Sequence, residues 1–237
     1  MFILLISLTI SLFIFIIVNF IFGIVSAILP FVLSLFLSYF FLSKSISKKL
    51  ERYMYDVQLD LQRRNIDQAI VKLFFLKRQF GKWQFFINSS IDGQIGSIYY
   101  IQSNYIKAEP YLKKSFSRHW IAKSMLGILY YRKKEYNNMD KIFESAVRYS
   151  SKQGLLWSVW AYCLVKSRKN NQAINVLLRA KNKLGNSDLR ITQNLINLQN
   201  KKKMKMRSYG EQWYQFQLEV SPQLRQMQNK SIRFSRR

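Results

Sequence analysis

Residues 94–114 read QIGSIYYIQSNYIKAEPYLKK. Ile95, Gly96 and Tyr99 are followed, six and nine residues after Tyr99, by Tyr105 and Ala108, and then by Leu112. Residues three and four apart share a helix face. Large residues alternate with small ones, so two helices can approach closely at Gly96 and Ala108 while Tyr99, Tyr105 and Leu112 fill the space between them. The break between the two runs falls at Ser103-Asn104. The stretch predicts a helix, a tight turn and a second helix packed back on the first.

The pattern recurs on both sides. Leu126, Gly127, Tyr130, Tyr136, Met139, Phe143 and Ala146 take the same offsets over about 119–150. Trp157, Trp160, Ala161 and Leu164, then Ala173, Leu177 and Ala180, do so over 154–184. A weaker copy precedes them, with Leu50, Tyr53, Met54, Val57 and Leu61 on its first helix and Ala69, Leu73 and Leu76 on its second. The small positions Ala69, Ala108, Met139 and Ala173 lie 39, 31 and 34 residues apart. A fixed period near 34 signals stacked helical hairpins, because one hairpin cannot bury its apolar face alone. Asp188 can cap a last helix of about 189–201 that covers the end of the stack.

This spacing resembles the tetratricopeptide repeat (TPR), over about residues 51–200. The resemblance implies an all-α fold: a TPR-like α-solenoid of about four helix-turn-helix repeats plus a capping helix, over 43–200. It also implies a concave groove, lined by the first helix of each hairpin, that holds a peptide or protein surface. Non-core residues of 92–103, 120–133 and 155–166 would face that groove. Lys123, Arg132 and Lys133 are the basic candidates there, and an acidic peptide segment is the ligand they would suit.

Residues 1–42 carry no Asp, Glu, Lys, Arg or His. A bilayer core of about 30 Å needs about 20 helical residues, and this run is twice that. Asn19 and Gly23 fall where a turn would be needed, giving a transmembrane hairpin with spans of about Phe2–Val18 and Ile24–Leu42. Two alternatives stay open: a signal peptide cleaved near Val25-Ser26-Ala27, and one long tilted span. Lys44, Lys48, Lys49 and Arg52 follow directly, and basic flanks tend to stay in the cytoplasm. The expected location is therefore a bacterial inner membrane, multi-pass, with the C-terminal domain in the cytoplasm. Two spans followed by repeats is a layout similar to that of HemY-type inner-membrane proteins, with no shared motif that would carry a function across. The connector Phe80–Ser90, with Trp83, Phe85, Phe86 and Ile87, either packs on the first hairpin or touches the membrane interface.

The tail, 201–237, is basic and contains Tyr209, Trp213, Tyr214 and Phe216. These four can dock on the repeats of their own chain or be offered to a partner. Burial is the cheaper state for side chains of this size. Beyond Pro222 the composition reads as disordered.

The whole chain has 38 Lys and Arg against 12 Asp and Glu, a formal charge of +26. Such a field attracts anionic surfaces of any kind, and a biased composition rich in Lys, Ile and Asn would produce the same count. Catalysis needs convergent acid, base or nucleophile groups, but His119 and Cys163 are alone in their kinds and the acids are scattered. No phosphate-binding glycine loop or metal-ligand spacing appears. The expectation is a non-enzymatic scaffold without cofactor that binds a protein partner. A membrane-tethered binder of nucleic acid or anionic lipid is the alternative, although most aromatics are assigned to core positions. Nothing in the sequence specifies an oligomeric state.

Overall fold

The computed structural model describes residues 2–185, 187–220 and 222. The chain is all-helical, with no strand among the described residues. It divides into two compact units, 1–95 and 96–237.

In the first unit, α1 (Phe2–Phe22) and α2 (Ile24–Gln62) are separated by one residue, Gly23. Its φ of +82° is a conformation that glycine adopts without a Cβ penalty. Both helices are long and apolar enough to cross a membrane. The expected second span, Ile24–Leu42, forms the first half of α2. The helix itself runs on for 39 residues without a break, about 58 Å at 1.5 Å per residue. No glycine or proline stands between Leu42 and Gln62, so nothing in the sequence ends the helix there. Ser7 and Ser11 are buried between the helices, and each donates its hydroxyl to the carbonyl four residues back, Ile3 and Ser7 respectively. Ala27 is fully buried at the close approach.

α3 (Ile66–Phe80) packs on the polar half of α2 through Ala69, Ile70, Leu73, Leu76 and Phe80, with Lys72 paired to Asp60. Gly81 ends α3 in ordinary helical conformation, so its φ is not the reason for a glycine. A Cβ there would run into the Asn88 side chain and the Lys77 carbonyl. The next helix, α4 (Ile87–Ile101), starts within the connector, so Ser89 and Ser90 lie in its first turn and cap nothing.

The second unit contains the rest of α4, then α5 (Tyr105–Lys114), α6 (Trp120–Arg132), α7 (Tyr136–Tyr149), α8 (Gly154–Lys166), α9 (Asn170–Leu184) and α10 (Leu189–Gln199). Gly96 abuts Leu112 and Gly127 abuts the Phe143 ring, so no Cβ fits at either. The side chains of His119 and Asp188 cap α6 and α10 by accepting from the Ala122 and Arg190 amides. Pro110 sits in the second turn of α5. The carbonyl it leaves without a donor belongs to Ile106, which is 90% exposed, so water can serve it.

One turn geometry recurs along the chain. Arg64, Ser103, Lys134, Arg168 and Lys201 all have φ between +56° and +63°. In each case the next residue's amide reaches back five positions: Asn65 to Asp60, Asn104 to Tyr99, Glu135 to Tyr130, Lys169 to Leu164 and Lys202 to Asn197. That bond and the left-handed residue define the Schellman helix end. Five residues after each turn stands a buried side chain: Ala69, Ala108, Met139, Ala173 and Met206. The first four begin a second helix. After the fifth turn the chain leaves the helical pattern and takes a different course.

Candidate functional site

That course is the site. From Lys202 the chain runs extended, makes a 3-10 turn at Met206–Tyr209, forms the short helix α11 (Glu211–Tyr214) and continues to Val220. It passes α10, α8, α6 and α4, the first helices of the pairs, in reverse order. At α10 the Lys205 amide donates to Asn194 Oδ1 at 2.7 Å, and the Arg190 guanidinium stacks on the Tyr209 ring at 4.2 Å. At α8 the Tyr209 and Ser158 hydroxyls are 2.8 Å apart. Tyr162 meets the Trp213 ring edge-on at 4.8 Å and donates its hydroxyl to Glu219 at 3.1 Å. At α6 the Trp120 ring lies against Phe216, and Arg132 donates to the Gln217 carbonyl at 2.9 Å. At α4 the Tyr100 hydroxyl donates to the Phe216 carbonyl at 2.7 Å, and the Gln217 side chain donates back to the Ile101 carbonyl at 2.7 Å.

Met206, Tyr209, Trp213 and Phe216 are buried, the last two completely. Tyr214 is half-buried and lines an open cleft of about 1190 Å³ beside the docked segment, with Arg132, Tyr162, Lys166, Lys205 and Arg207. Of the four tail aromatics singled out in the sequence, three are thus buried and one edges the cleft. The composition-based expectation of disorder after Pro222 lies outside the described residues.

The three basic candidates do not converge. Arg132 alone touches the docked segment, and its guanidinium also stacks on Tyr105 at 4.7 Å. Lys123 is half-buried and donates at 3.4 Å to the carbonyls of Leu112 and Lys113, the open C-terminal end of α5. That end carries partial negative charge. Lys133 pairs with Glu109 at 2.6 Å, which also holds Lys113 at 2.8 Å.

The electrostatics follow burial. Desolvation pushes the Tyr209 hydroxyl up to about 12, against the opposing pull of its bond to Ser158. Burial raises the Tyr100 and Tyr162 hydroxyls further, helped at Tyr162 by the Glu219 carboxylate. All three stay neutral at physiological pH. Burial also lowers Lys123 and His119 and raises the Cys163 thiol, which is fully enclosed and weakly nucleophilic as a neutral thiol. Hydrogen bonds from Lys113 and Lys133 lower the Glu109 carboxyl. The arrangement can grip a length of polypeptide by its main chain and its aromatic side chains.

Tyr100, Ser158, Tyr162, Asn194 and Glu219 were not singled out in the sequence. The signal was in α8, where every residue from Gly154 to Leu164 is buried. A helix apolar all round must be covered on every face, and neighbouring hairpins cover only part of it.

The sequence matches no protein-family model, no curated protein and no solved structure.

Proposed function

We propose that the chain is a membrane-anchored, TPR-like scaffold that mediates protein–protein interaction. In this reading α1 and the apolar half of α2 form a hairpin in a bacterial inner membrane, and the second unit works in the cytoplasm. The observation that carries the reading is that the faces of α4, α6, α8 and α10 hold a peptide segment by side-chain bonds to its main chain. Tyr100, Arg132 and Asn194 read carbonyls or an amide rather than side chains, as peptide-binding surfaces do. Five Schellman turns, 39, 31, 34 and 33 residues apart, support the TPR-like solenoid.

The segment is the chain's own, so a partner either takes its place or binds the composite surface that it completes. Crosslinking in cells of the native host, followed by purification in mild detergent, tests this with wild type and Trp213→Ala side by side. A protein partner recovered in stoichiometric amount, with recovery changed by Trp213→Ala, is the expected result. No protein at stoichiometry with either form refutes the scaffold. Nucleic acid recovered alone at moderate salt would favour the alternative. Topology is tested with a cysteine engineered at exposed Lys181 in a Cys163→Ala background. Labelling of intact cells by a membrane-impermeant reagent would refute the cytoplasmic placement.

A further inference from the structure

The two amides that open α1 have no partner within their own helix. They are taken up from outside it: Phe2 donates to the Lys82 carbonyl at 3.1 Å and Ile3 to the Trp83 carbonyl at 3.4 Å. The Phe2 and Trp83 rings meet edge-on at 6.0 Å, and Gln84 donates to the Ser43 hydroxyl at 2.6 Å. The connector after α3 is therefore tied both to the start of α1 and to the point where the uncharged run of α2 ends. α1 has 21 residues, about 31 Å, the thickness of a bilayer core. If α1 spans, Trp83 lies at the membrane–water boundary, where tryptophan is enriched. Phe85 and Phe86 beside it are 59% and 60% exposed.

At this level a cleft of about 570 Å³ opens between α2 and the end of α3, lined by Ile46, Lys49, Arg52, Tyr53, Phe80 and Trp83, with Asp56 and Gln79 also on its wall. Ile46, Tyr53, Phe80 and Trp83 make half of its lining apolar or aromatic. Lys49 and Arg52 are exposed, and neither has a carboxylate at ion-pair distance among the described residues. With Asp56 the lining carries one net positive charge. Lys49 lies seven residues past Leu42, about 10 Å along the helix, and its long side chain can reach back toward the headgroup layer.

We propose that this cleft binds the headgroup of an anionic phospholipid, with Lys49 and Arg52 holding the phosphodiester and Trp83 seated beside the glycerol region. Apolar wall, two cations and a boundary position fit a singly charged phosphate carrying acyl chains. A choline headgroup would bring its own cation against Lys49 and Arg52, so phosphatidylcholine is disfavoured. The inference rests on reading α1 and α2 as membrane spans.

The test is native mass spectrometry of the full chain in mild detergent, titrated with phosphatidylglycerol or phosphatidylcholine. Wild type should retain phosphatidylglycerol at least tenfold more strongly than phosphatidylcholine. Lys49→Gln/Arg52→Gln should lose that preference. Lys181→Gln/Lys183→Gln, which removes the same charge from α9 of the second unit, should keep it. Preference unchanged in the first variant, or lost equally in both, overturns the cleft. Millimolar glycerol 3-phosphate should not displace the lipid; displacement would make the ligand a soluble phosphate. Alkaline extraction of membranes reads the span separately. A chain released into the soluble fraction overturns the membrane reading and the cleft with it, whereas a retained chain without the preference overturns the cleft alone.

Discussion

Trp213→Ala should release residues 204–220 from the second unit while leaving α5–α9 folded. The Trp213 side chain is fully buried, edge-on to Tyr162 and with its indole N–H 3.3 Å from Glu219. Truncating a buried Trp to Ala costs about 3–5 kcal/mol in lost transfer energy and residual cavity. At about 1.4 kcal/mol per tenfold, the docked-to-released ratio falls by two to three and a half powers of ten. Hydrogen exchange reads this locally. The amides of Gly210, Phe216 and Gln217 are bonded only to carbonyls within the segment, those of Arg207, Trp213 and Tyr214, so they exchange when it lifts. Their protection should fall by about that factor, while that of the α6 and α8 core amides should hold. Proteolysis after Lys205 or Arg207 should accelerate in parallel. Unchanged exchange at these amides would refute docking through Trp213. An equal loss through α6 and α8 would mean that the segment is inseparable from the core and no partner could displace it.

Four further outcomes follow from the same geometry. Lys134→Gly should raise the melting temperature by the equivalent of about 0.5–1 kcal/mol, because Lys134 holds a φ of +63° that glycine adopts without strain. Gly127→Ala should lower stability by about 1–3 kcal/mol in denaturant melts, since the new methyl would stand 2.6 Å from the Phe143 ring. Glu109 has a lowered carboxyl, so its contribution is present above the ordinary glutamate value of about 4.3 and is lost as pH falls through the lower folded value; Glu109→Gln should flatten the acid limb of a stability–pH curve. Tyr209 is raised, so its contribution is complete below about pH 10 and is lost as pH rises toward about 12; Tyr209→Phe should remove one late-titrating phenol from the 295 nm absorbance titration.

How much of this was legible depended on which signal each feature leaves. The paired helices were written in repeated apolar spacing, and Gly96 and Gly127 marked the closest approaches. The helix ends were less legible. Left-handed turns are usually announced by glycine or asparagine, but here Arg64, Ser103, Lys134, Arg168 and Lys201 hold them. The segment's destination was half legible: four aromatics in a basic tail pointed to burial, and α8 pointed to a face needing cover. Their meeting could not be read, because Tyr162 and Trp213 are 51 residues apart and no local pattern links them. Where Lys123 and Lys133 reach was not legible either, for a physical reason. A long cationic side chain reaches whatever negative end lies nearby, and here those were the α5 C-terminus and Glu109.

The positive charge can be argued further than its count. A compositional bias predicts many lysines but says nothing about where the few acids go. Among the described residues, six of the 12 acids carry an ion pair: Asp60, Asp92, Glu109, Asp140, Glu144 and Asp188. Asp140 also accepts from Trp160 on the next helix pair, Glu144 takes both arms of Arg179, and Glu219 closes the docked segment on Tyr162 and Trp213. Five of these six acids join one helix to another, and most of the cations among the described residues are exposed. A bias of composition therefore becomes a surface property. Close to an anionic leaflet each such cation contributes about 1 kcal/mol within a Debye length of about 8 Å. Raising salt should then weaken attraction of the second unit to anionic vesicles while leaving the chain in the membrane, and attraction that persists undiminished at about 1 M salt would show that the outward charge is not its source.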